Sequence, residues 1–188
     1  NTLNTSDFDR IIGCDGALSE TRKRLGLKNP RFRLGMLRLT NEKDFSNYVE
    51  TWPVRGGFKW KIPRRDNTEY GVIVPLEQSK NFSALEYESF GLVPQGLIIP
   101  KSEIVTLCGD AAGLTKPWSG GGVVWGLQAC DLLLQSFPDL LRYRRNARRF
   151  FLPRIIFSKI TTRFVYFLGF KFPWILPSKM NMEGDYLL

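Results

Sequence analysis

The segment from Val105 to Cys130, which reads VTLCGDAAGLTKPWSGGGVVWGLQAC, constrains the fold more than any other part of this chain of 188 residues. The apolar run from Ile104 to Cys108 is typical of a buried parallel strand. Small side chains at positions 109–113 then leave the backbone open to a flat or charged ligand. Asp110 is the one charged group in that turn. The pattern predicts a strand, a ligand-binding turn and a helix.

A second loop, KPWSGGG at positions 116–122, precedes the apolar segment from Val123 to Leu134, which we interpret as a helix. The N–H groups at the start of a helix favour negative charge in the loop before it. Glycine-rich turns are weak indicators when taken singly. An ordinary strand, turn and helix, with glycines that serve only packing, therefore stays open as an alternative.

The beginning of the chain carries a second pattern of strand and turn. Positions 11–22 read IIGCDGALSETR, an apolar run that ends in Asp15-Gly16 and is followed by Ser19 and Arg22. This pattern predicts a strand over positions 10–14 and a short helix or turn over positions 18–25.

The two segments resemble the DG and GD motifs of FAD-dependent oxidoreductases, and they occur in the order of that superfamily. The resemblance implies that FAD is the cofactor. It also implies that Asp110 accepts hydrogen bonds from the ribityl hydroxyls and that Asp15 and Gly16 support the pyrophosphate. The cofactor-binding residues implied in this way are Asp15, Gly16, Arg22, Gly109, Asp110, Ala111, Ala112, Gly113, Pro117, Gly120, Gly121 and Gly122.

Within the superfamily, Lys116-Pro117 followed by three glycines is most similar to the geranylgeranyl reductase family. The segment GGFKWKIP at positions 56–63 resembles that family's aromatic-x-Trp-x-aromatic-Pro substrate strand, but Ile62 replaces an aromatic residue and Arg55 a proline. The resemblance implies hydride transfer from reduced FAD to a carbon–carbon double bond of a geranylgeranyl or other prenyl chain on a lipid or diphosphate. NAD(P)H or another reductant would supply the electrons. The implied substrate-binding residues are Phe58, Trp60 and Trp118, and no catalytic residue or proton donor is identified.

Other interpretations stay open at this point. An aromatic-ring monooxygenase shares both motifs, although the triple glycine and the tryptophan strand argue against it. A truncated, non-enzymatic partner subunit is the third possibility, because no GxGxxG pyrophosphate turn occurs in the sequence. Phe58 and Trp60 alternate with Lys59 and Lys61, a pattern that also fits one face of an ordinary sheet core.

The DG motif follows Asn1 almost at once, so we expect the C-terminal portion of a longer two-domain flavoprotein with an α+β or α/β fold. An N-terminal FAD-binding segment would then be a required partner. The predicted divisions are the end of an FAD-binding layer at 1–28, an antiparallel substrate sheet at 29–100, the GD motif and its helix at 101–137, and a helical, basic and aromatic region at 138–188. Positions 97–99 are predicted as a strand and positions 81–90 as a short helix or irregular insertion.

The formal net charge is +9, and basic residues concentrate in the last third of the chain. Without a recognisable nucleic-acid module, this charge favours a membrane surface or phosphate over nucleic acid. The apolar and aromatic segment Phe150–Leu176 is interrupted by basic residues and two prolines, which argues against a membrane span and leaves an interfacial anchor open. We expect a cytoplasmic protein, with peripheral membrane contact as an alternative.

Histidine is absent, and the three cysteines have neither CxxC nor zinc-ligand spacing. This excludes Ser-His-Asp and Cys-His nucleophilic schemes, and we predict no metal site. Cys14, Cys108 and Cys130 are expected to be buried thiols in a reduced, intracellular setting.

Overall fold

The computed structural model describes residues 7–82 and 87–175. Contacts divide the chain into two compact units, the first within Asn1–Arg31 and Pro94–Leu188 and the second within Phe32–Val93. The second unit is thus an insertion in the sequence of the first. The four divisions proposed from the sequence stay a prediction.

The first unit combines a two-stranded parallel sheet with helices. Its elements are β1 (Ile11–Gly13), α1 (Glu20–Arg24), β7 (Val105–Leu107), α2 (Val123–Ser136) and α3 (Leu140–Lys171). These strands and helices confirm the elements that the apolar runs predict. The carboxylate of Asp139 begins α3 by accepting a hydrogen bond of 2.8 Å from the backbone N–H of Arg142.

The core of the first unit lies where α2 and α3 pack together. Trp125 of α2 is fully buried, and its ring centroid lies 5.4 Å from that of Phe151 on α3. The hydroxyl of Tyr143 on α3 donates a hydrogen bond of 3.3 Å to the carbonyl of Leu107 on β7. Apolar packing of large rings and this one polar contact therefore fix α3 against the strand that precedes the GD turn.

The second unit is built on a five-stranded sheet in the order β3-β4-β5-β2-β6. Its strands are β2 (Arg31–Thr40), β3 (Glu50–Val54), β4 (Gly57–Pro63), β5 (Thr68–Pro75) and β6 (Ser89–Gln95). The pairs β2–β5, β3–β4 and β4–β5 are antiparallel, as the sequence predicts. Met36, Val72 and Val74 form the core of this unit on one face of the sheet.

The strand predicted at positions 97–99 is wrong. Those residues form no strand, although the N–H groups of Gly96 and Ile98 donate hydrogen bonds of 2.8 and 2.9 Å to the carbonyls of Gly113 and Ala112. The strand lies earlier, in β6, and only its first two residues fall within positions 81–90, which the sequence predicts as a short helix or irregular insertion. A 3₁₀ turn, Leu76–Phe82, occupies the start of that insertion, and positions 83–86 lie outside the described residues.

Two of the three cysteines differ from the prediction of buried thiols. Cys108 is buried, whereas Cys14 and Cys130 are exposed, and all three are free. Cys14 follows the last residue of β1, and Cys130 lies on the outer part of α2, so neither is covered by the core.

Helix α3 contains Pro153 in its interior, and the side chains of Phe151 and Ile155 on either side of it are buried. Within residues 7–82 and 87–175, no helix combines the length and apolar composition needed to cross a membrane.

Candidate functional site

The parallel pairing of β1 and β7 brings the DG and GD turns to the same edge of the sheet. Ile11 lies opposite Val105 and Gly13 opposite Leu107. The pairing continues one step further, where the N–H of Cys108 donates a hydrogen bond of 3.0 Å to the carbonyl of Gly13. Because both strands end at this edge, Asp15-Gly16 and Gly109-Asp110 leave it side by side. Ligands of parallel α/β sheets bind at such carboxyl edges.

The carboxylate of Asp15 accepts hydrogen bonds from residues that follow it closely in the chain. It accepts hydrogen bonds from the hydroxyl of Ser19 at 2.6 Å and from the backbone N–H and hydroxyl of Thr21 at 2.8 and 3.0 Å. Partial burial alone would raise the pKa of Asp15, but these hydrogen bonds outweigh it and leave the pKa below its ordinary value. Asp15 therefore shapes the DG turn and the start of α1, and Gly16 follows it with a positive φ of 79°.

Arg22 joins the two turns from inside the protein. Its side chain is fully buried, and its guanidinium donates hydrogen bonds of 2.8 Å to the carbonyl of Ala111 and 2.7 Å to the carbonyl of Ala17. Two further hydrogen bonds, of 3.3 and 3.2 Å, reach the side-chain oxygen of Asn29. Arg22 is thus a positioning residue for the DG and GD turns rather than a group that faces a ligand.

Asp110 differs from Asp15 in the hydrogen bonds that its carboxylate receives. It is half-buried, and no group within residues 7–82 and 87–175 donates a hydrogen bond to its carboxylate. Burial raises the pKa of Asp110 above its ordinary value. A carboxylate in this state lacks the donors that usually compensate burial, so a ligand with hydroxyl groups would supply them.

Gly122 leaves room beside this carboxylate. A Cβ atom at position 122 would lie 3.0 Å from one oxygen of Asp110. Gly122 is also the residue before α2, and no side chain caps that helix. The residue that precedes α2 therefore lies close to the Asp110 carboxylate, and the first N–H groups of this helix have no side-chain cap.

The loop at positions 116–122 is held closed by its own backbone. The N–H of Lys116 donates to the carbonyl of Gly121, and the N–H of Gly120 donates to the carbonyl of Lys116, both at 2.9 Å. The side-chain amide of Gln95 donates hydrogen bonds of 3.4 and 3.1 Å to the carbonyls of Lys116 and Pro117. Gln95 was not singled out from the sequence, because nothing in its neighbourhood resembles a motif.

Phe58 and Trp60 lie on the sheet face opposite the core of the second unit. In the register, Phe58 is opposite Ile73 and Trp60 opposite Gly71, whereas Lys59 is opposite the core residue Val72. Both aromatic side chains are half-buried, with ring centroids 5.8 Å apart. They are therefore not part of the Met36, Val72 and Val74 core, although Ile73, opposite Phe58 on the same face, is also buried.

The orientation of Trp60 is fixed by two neighbours. Its indole N–H donates a hydrogen bond of 2.8 Å to the carboxylate of Glu69. The indole also lies flat on Gly71, where an added Cβ atom would come within 2.0 Å of the ring. Only glycine permits this approach, so Gly71 makes the flat aromatic surface possible.

The predicted residues fall into two groups. Those of the DG turn, the GD turn and the loop at 116–122, including the half-buried Trp118, belong to the first unit. Phe58 and Trp60 belong to the second. Within the described ranges, no three His, Cys, Asp or Glu side chains are grouped so that they could hold a metal ion.

No protein-family model matches the sequence. Among curated proteins, the uncharacterized protein Mbar_A1602 of Methanosarcina barkeri is 27% identical over 154 residues, which covers 71% of this chain and 39% of that protein.

Among solved structures, the chain is similar to a geranylgeranyl bacteriochlorophyll reductase-like protein from Thermoplasma acidophilum, with a TM-score of 0.65, 16% identity, and coverage of 82% of this chain and 50% of that one. It is also similar to the tetracycline destructase Tet(51), with a TM-score of 0.57, 14% identity, and coverage of 82% and 54%. For Xcc4156, a flavin-dependent halogenase from Xanthomonas campestris, the TM-score is 0.52, the identity 18%, and the coverage 75% and 34%.

This chain spans between 34% and 54% of the length of these four proteins. At such low sequence identities, the similarity to the solved structures concerns the fold. The described chain has the α+β fold that the sequence predicts, and it shares this fold with the geranylgeranyl bacteriochlorophyll reductase-like protein and with the flavin-dependent halogenase.

Proposed function

We propose that this chain is part of an FAD-dependent oxidoreductase that reduces carbon–carbon double bonds in geranylgeranyl or other prenyl chains of lipids or diphosphates. NAD(P)H or another reductant supplies the electrons, and an N-terminal FAD-binding segment completes the cofactor site. Support comes from the fold that the chain shares with a geranylgeranyl bacteriochlorophyll reductase-like protein and from the tryptophan strand at positions 56–63.

The observation that carries the proposal is the carboxylate of Asp110. It is half-buried, receives no hydrogen bond from the described residues, and lies beside the uncapped start of α2. The polyhydroxyl ribityl chain of FAD offers the hydrogen-bond donors that this carboxylate lacks. In this proposal Asp110 holds the ribityl hydroxyls, and the DG turn around Asp15-Gly16 supports the pyrophosphate.

The start of α2 has a second role in this proposal. Its N–H groups and dipole stabilise negative charge, a contribution of about 0.3–1 kcal/mol when exposed and up to about 2 kcal/mol when partly buried. When bound and reduced by the electron donor, FAD would supply the hydride. The chain contributes the fixed geometry, because Arg22 holds the GD turn through Ala111 and Gln95 holds the loop that precedes α2.

The apolar substrate is assigned to Phe58, Trp60 and Trp118. Phe58 and Trp60 present a half-buried aromatic surface that is separate from the core of the second unit. A prenyl chain is apolar along its whole length, so such a surface gains free energy by covering it.

Flavin incorporation tests the cofactor part of the proposal. The product of the complete reading frame should carry FAD, detected by its visible absorbance. Asp110→Asn should lower the FAD content or affinity by about tenfold or more, because a charged acceptor is replaced by a neutral one. Asp131→Asn is the matched control on the exposed side of α2 and should leave the FAD content unchanged. Absence of FAD from the unmodified product would refute the proposal and favour a non-enzymatic partner subunit.

Turnover tests the substrate part. Trp60→Ala should weaken the reduction of a prenyl substrate, measured by mass spectrometry of the product, while FAD content stays nearly unchanged. Trp52→Ala is the control, since Trp52 lies on β3 opposite Lys59, on the other face of the sheet. Loss of FAD in Trp60→Ala, or equal turnover in both variants, would contradict the assignment of this face to the substrate.

An aromatic-ring monooxygenase is the second candidate, because the tetracycline destructase and the flavin-dependent halogenase share the fold with TM-scores of 0.57 and 0.52. The same FAD-loaded product distinguishes the two functions. NAD(P)H oxidation coupled to O₂ uptake with a phenolic substrate, without reduction of a prenyl substrate, would favour the monooxygenase.

A further inference from the structure

The two halves of α3 differ in burial: the first half is packed against the first unit, and the second half is not. Up to Ser158, one side of the helix is packed into the first unit through residues spaced three or four apart. These buried residues are Leu140, Tyr143, Ala147, Phe151, Ile155 and Ser158. From Lys159 to Lys171, no side chain of the helix is buried. The helix therefore extends beyond the body that holds it.

The extended part carries an apolar stripe on the side away from the core. Ile156, Ile160, Phe164 and Phe167 follow each other at intervals of four, four and three residues, so they share one side of the helix. Since each residue turns the helix by about 100°, that side lies roughly opposite the buried residues of the first half. These four side chains are 51%, 62%, 60% and 54% exposed. A contiguous apolar stripe of this kind marks an interaction site rather than an ordinary surface.

The charge of α3 has a single sign. The helix contains nine Arg and Lys residues and no Asp or Glu. Arg163 and Lys171 lie on or beside the apolar stripe, and Arg149 continues it towards the start of the helix. The 3₁₀ turn after the helix, Pro173–Ile175, adds Trp174, which is 77% exposed. Basic residues around an apolar stripe, with an aromatic residue at its end, are typical of helices that lie in a lipid interface.

We propose that the stripe Ile156–Phe167, together with Arg163, Lys171 and Trp174, docks on the surface of a membrane that contains anionic lipids. The charge argues for this occupant. A second copy would bring another all-basic helix against the first, so the two would repel. Nucleic acid would pair with the basic residues but would leave the apolar stripe in water. An anionic bilayer satisfies both, because its head groups bind the basic residues while its acyl boundary covers the phenylalanines.

The docking is interfacial rather than transmembrane. No helix within the described ranges is long and apolar enough to span a bilayer, and Arg163 divides the apolar residues of the stripe. The helix therefore lies parallel to the surface with its basic side chains reaching the head groups. Docking through α3 does not depend on the proposed reaction.

Vesicle co-sedimentation of the full chain tests this proposal. The chain should sediment with vesicles of phosphatidylcholine and phosphatidylglycerol at low salt, and less with phosphatidylcholine alone. Neutralising one basic residue, as in Arg163→Gln, should weaken the partition about fivefold, and Arg163→Gln with Lys171→Gln about 25-fold. Phe164→Ser should weaken it about tenfold or more, because one buried aromatic side chain is lost from the interface.

Matched controls separate docking from general charge and hydrophobicity. Leu134→Ser removes an apolar side chain that is 71% exposed on α2, and Lys43→Gln removes an exposed basic residue of the second unit. Both controls should bind vesicles like the unmodified chain. Circular dichroism of every variant checks that α3 is retained. We expect it to be retained because the substituted residues are exposed.

Three results would overturn the proposal. The first is no sedimentation with anionic vesicles at low salt. The second is binding that the α3 variants and the controls weaken equally. The third is a dimer in gel filtration without lipid that Phe164→Ser converts to a monomer, since a second copy would then cover the stripe.

Discussion

Replacement of Arg22 by methionine tests whether one buried side chain holds the DG and GD turns together. Arg22→Met keeps an unbranched side chain of similar length but removes all donors. The carbonyls of Ala111 and Ala17 and the side-chain oxygen of Asn29 would each lose a hydrogen bond to a charged group. Such hydrogen bonds contribute about 1.5–3 kcal/mol each, and partial relaxation recovers some of the loss. We therefore expect the free energy of unfolding to fall by about 3–5 kcal/mol.

The matched control is Arg24→Met on the same short helix. Arg24 is exposed and pairs with Glu20 at 3.3 Å, one helical turn away. An exposed pair of this kind contributes about 0.3–0.5 kcal/mol, so this variant should be almost as stable as the unmodified chain. Arg22→Lys should recover little of the loss, because a single ammonium group cannot reach three acceptors on different segments.

Urea unfolding followed by helical circular dichroism measures the effect, since α2 and α3 both lie in the first unit with Arg22. The reasoning is refuted if Arg22→Met and Arg24→Met have the same unfolding midpoint. In that case water would replace the guanidinium at all three acceptors, and the turns would be held by strand pairing alone.

Three further predictions follow from the same geometry. The pKa of Asp15 is lowered in the folded chain, so its carboxylate stabilises the fold above its unfolded pKa of about 3.9, and this contribution is lost as the pH falls through the lower folded value. Asp15→Asn should therefore lower the free energy of unfolding near neutral pH and have little effect in acid. A loss of stability that does not depend on pH would contradict this role of Asp15. Gly71→Ala should lower the free energy of unfolding by about 1–3 kcal/mol, because the added Cβ would meet the indole of Trp60 at 2.0 Å. Gly91→Ala is the control, since no atom lies within 4 Å of its new Cβ, and it should be nearly neutral in the same urea titration. Gly126→Ala, inside α2 and also without an atom near the new Cβ, should raise the free energy of unfolding by about 0.5–1 kcal/mol, because alanine favours a helix more than glycine does. A thermal midpoint below that of the unmodified chain would contradict this prediction and show that another group packs against Gly126.

The elements that carry the two motifs could be predicted from the sequence because their evidence is local. Apolar runs end at Gly13 and Cys108, and a long apolar segment follows the three glycines before α2. Each run matches the period and length of one element. The same reasoning recovered β4, where aromatic and basic residues alternate.

Strands β3 and β6 could not be predicted in this way, and both are edge strands of the sheet. They contain Pro53 and Pro94, which weaken a strand pattern and are tolerated mainly at edges. Their pairing partners β4 and β2, rather than their own residues, determine that they are extended.

The site could be predicted only as far as the motifs extend. The guanidinium of Arg22 donates to a group distant in sequence, whereas the carboxylate of Asp15 accepts hydrogen bonds from Ser19 and Thr21, which lie four and six positions away. Arg22 and Ala111 are 89 positions apart. Gln95 and Glu69, which fix the loop and Trp60, belong to no motif and became apparent only from their contacts.

The interrupted first unit has a consequence for how such proteins diversify. Its two halves are separated by the whole second unit, yet β1 and β7 pair directly. Closing a loop costs entropy that grows only logarithmically with its length, so doubling the inserted segment would cost about 0.6 kcal/mol. The inserted sheet can therefore lengthen, shorten or change its exposed face at little expense to the turns that precede and follow it. The second unit is therefore free to vary while the first keeps its geometry.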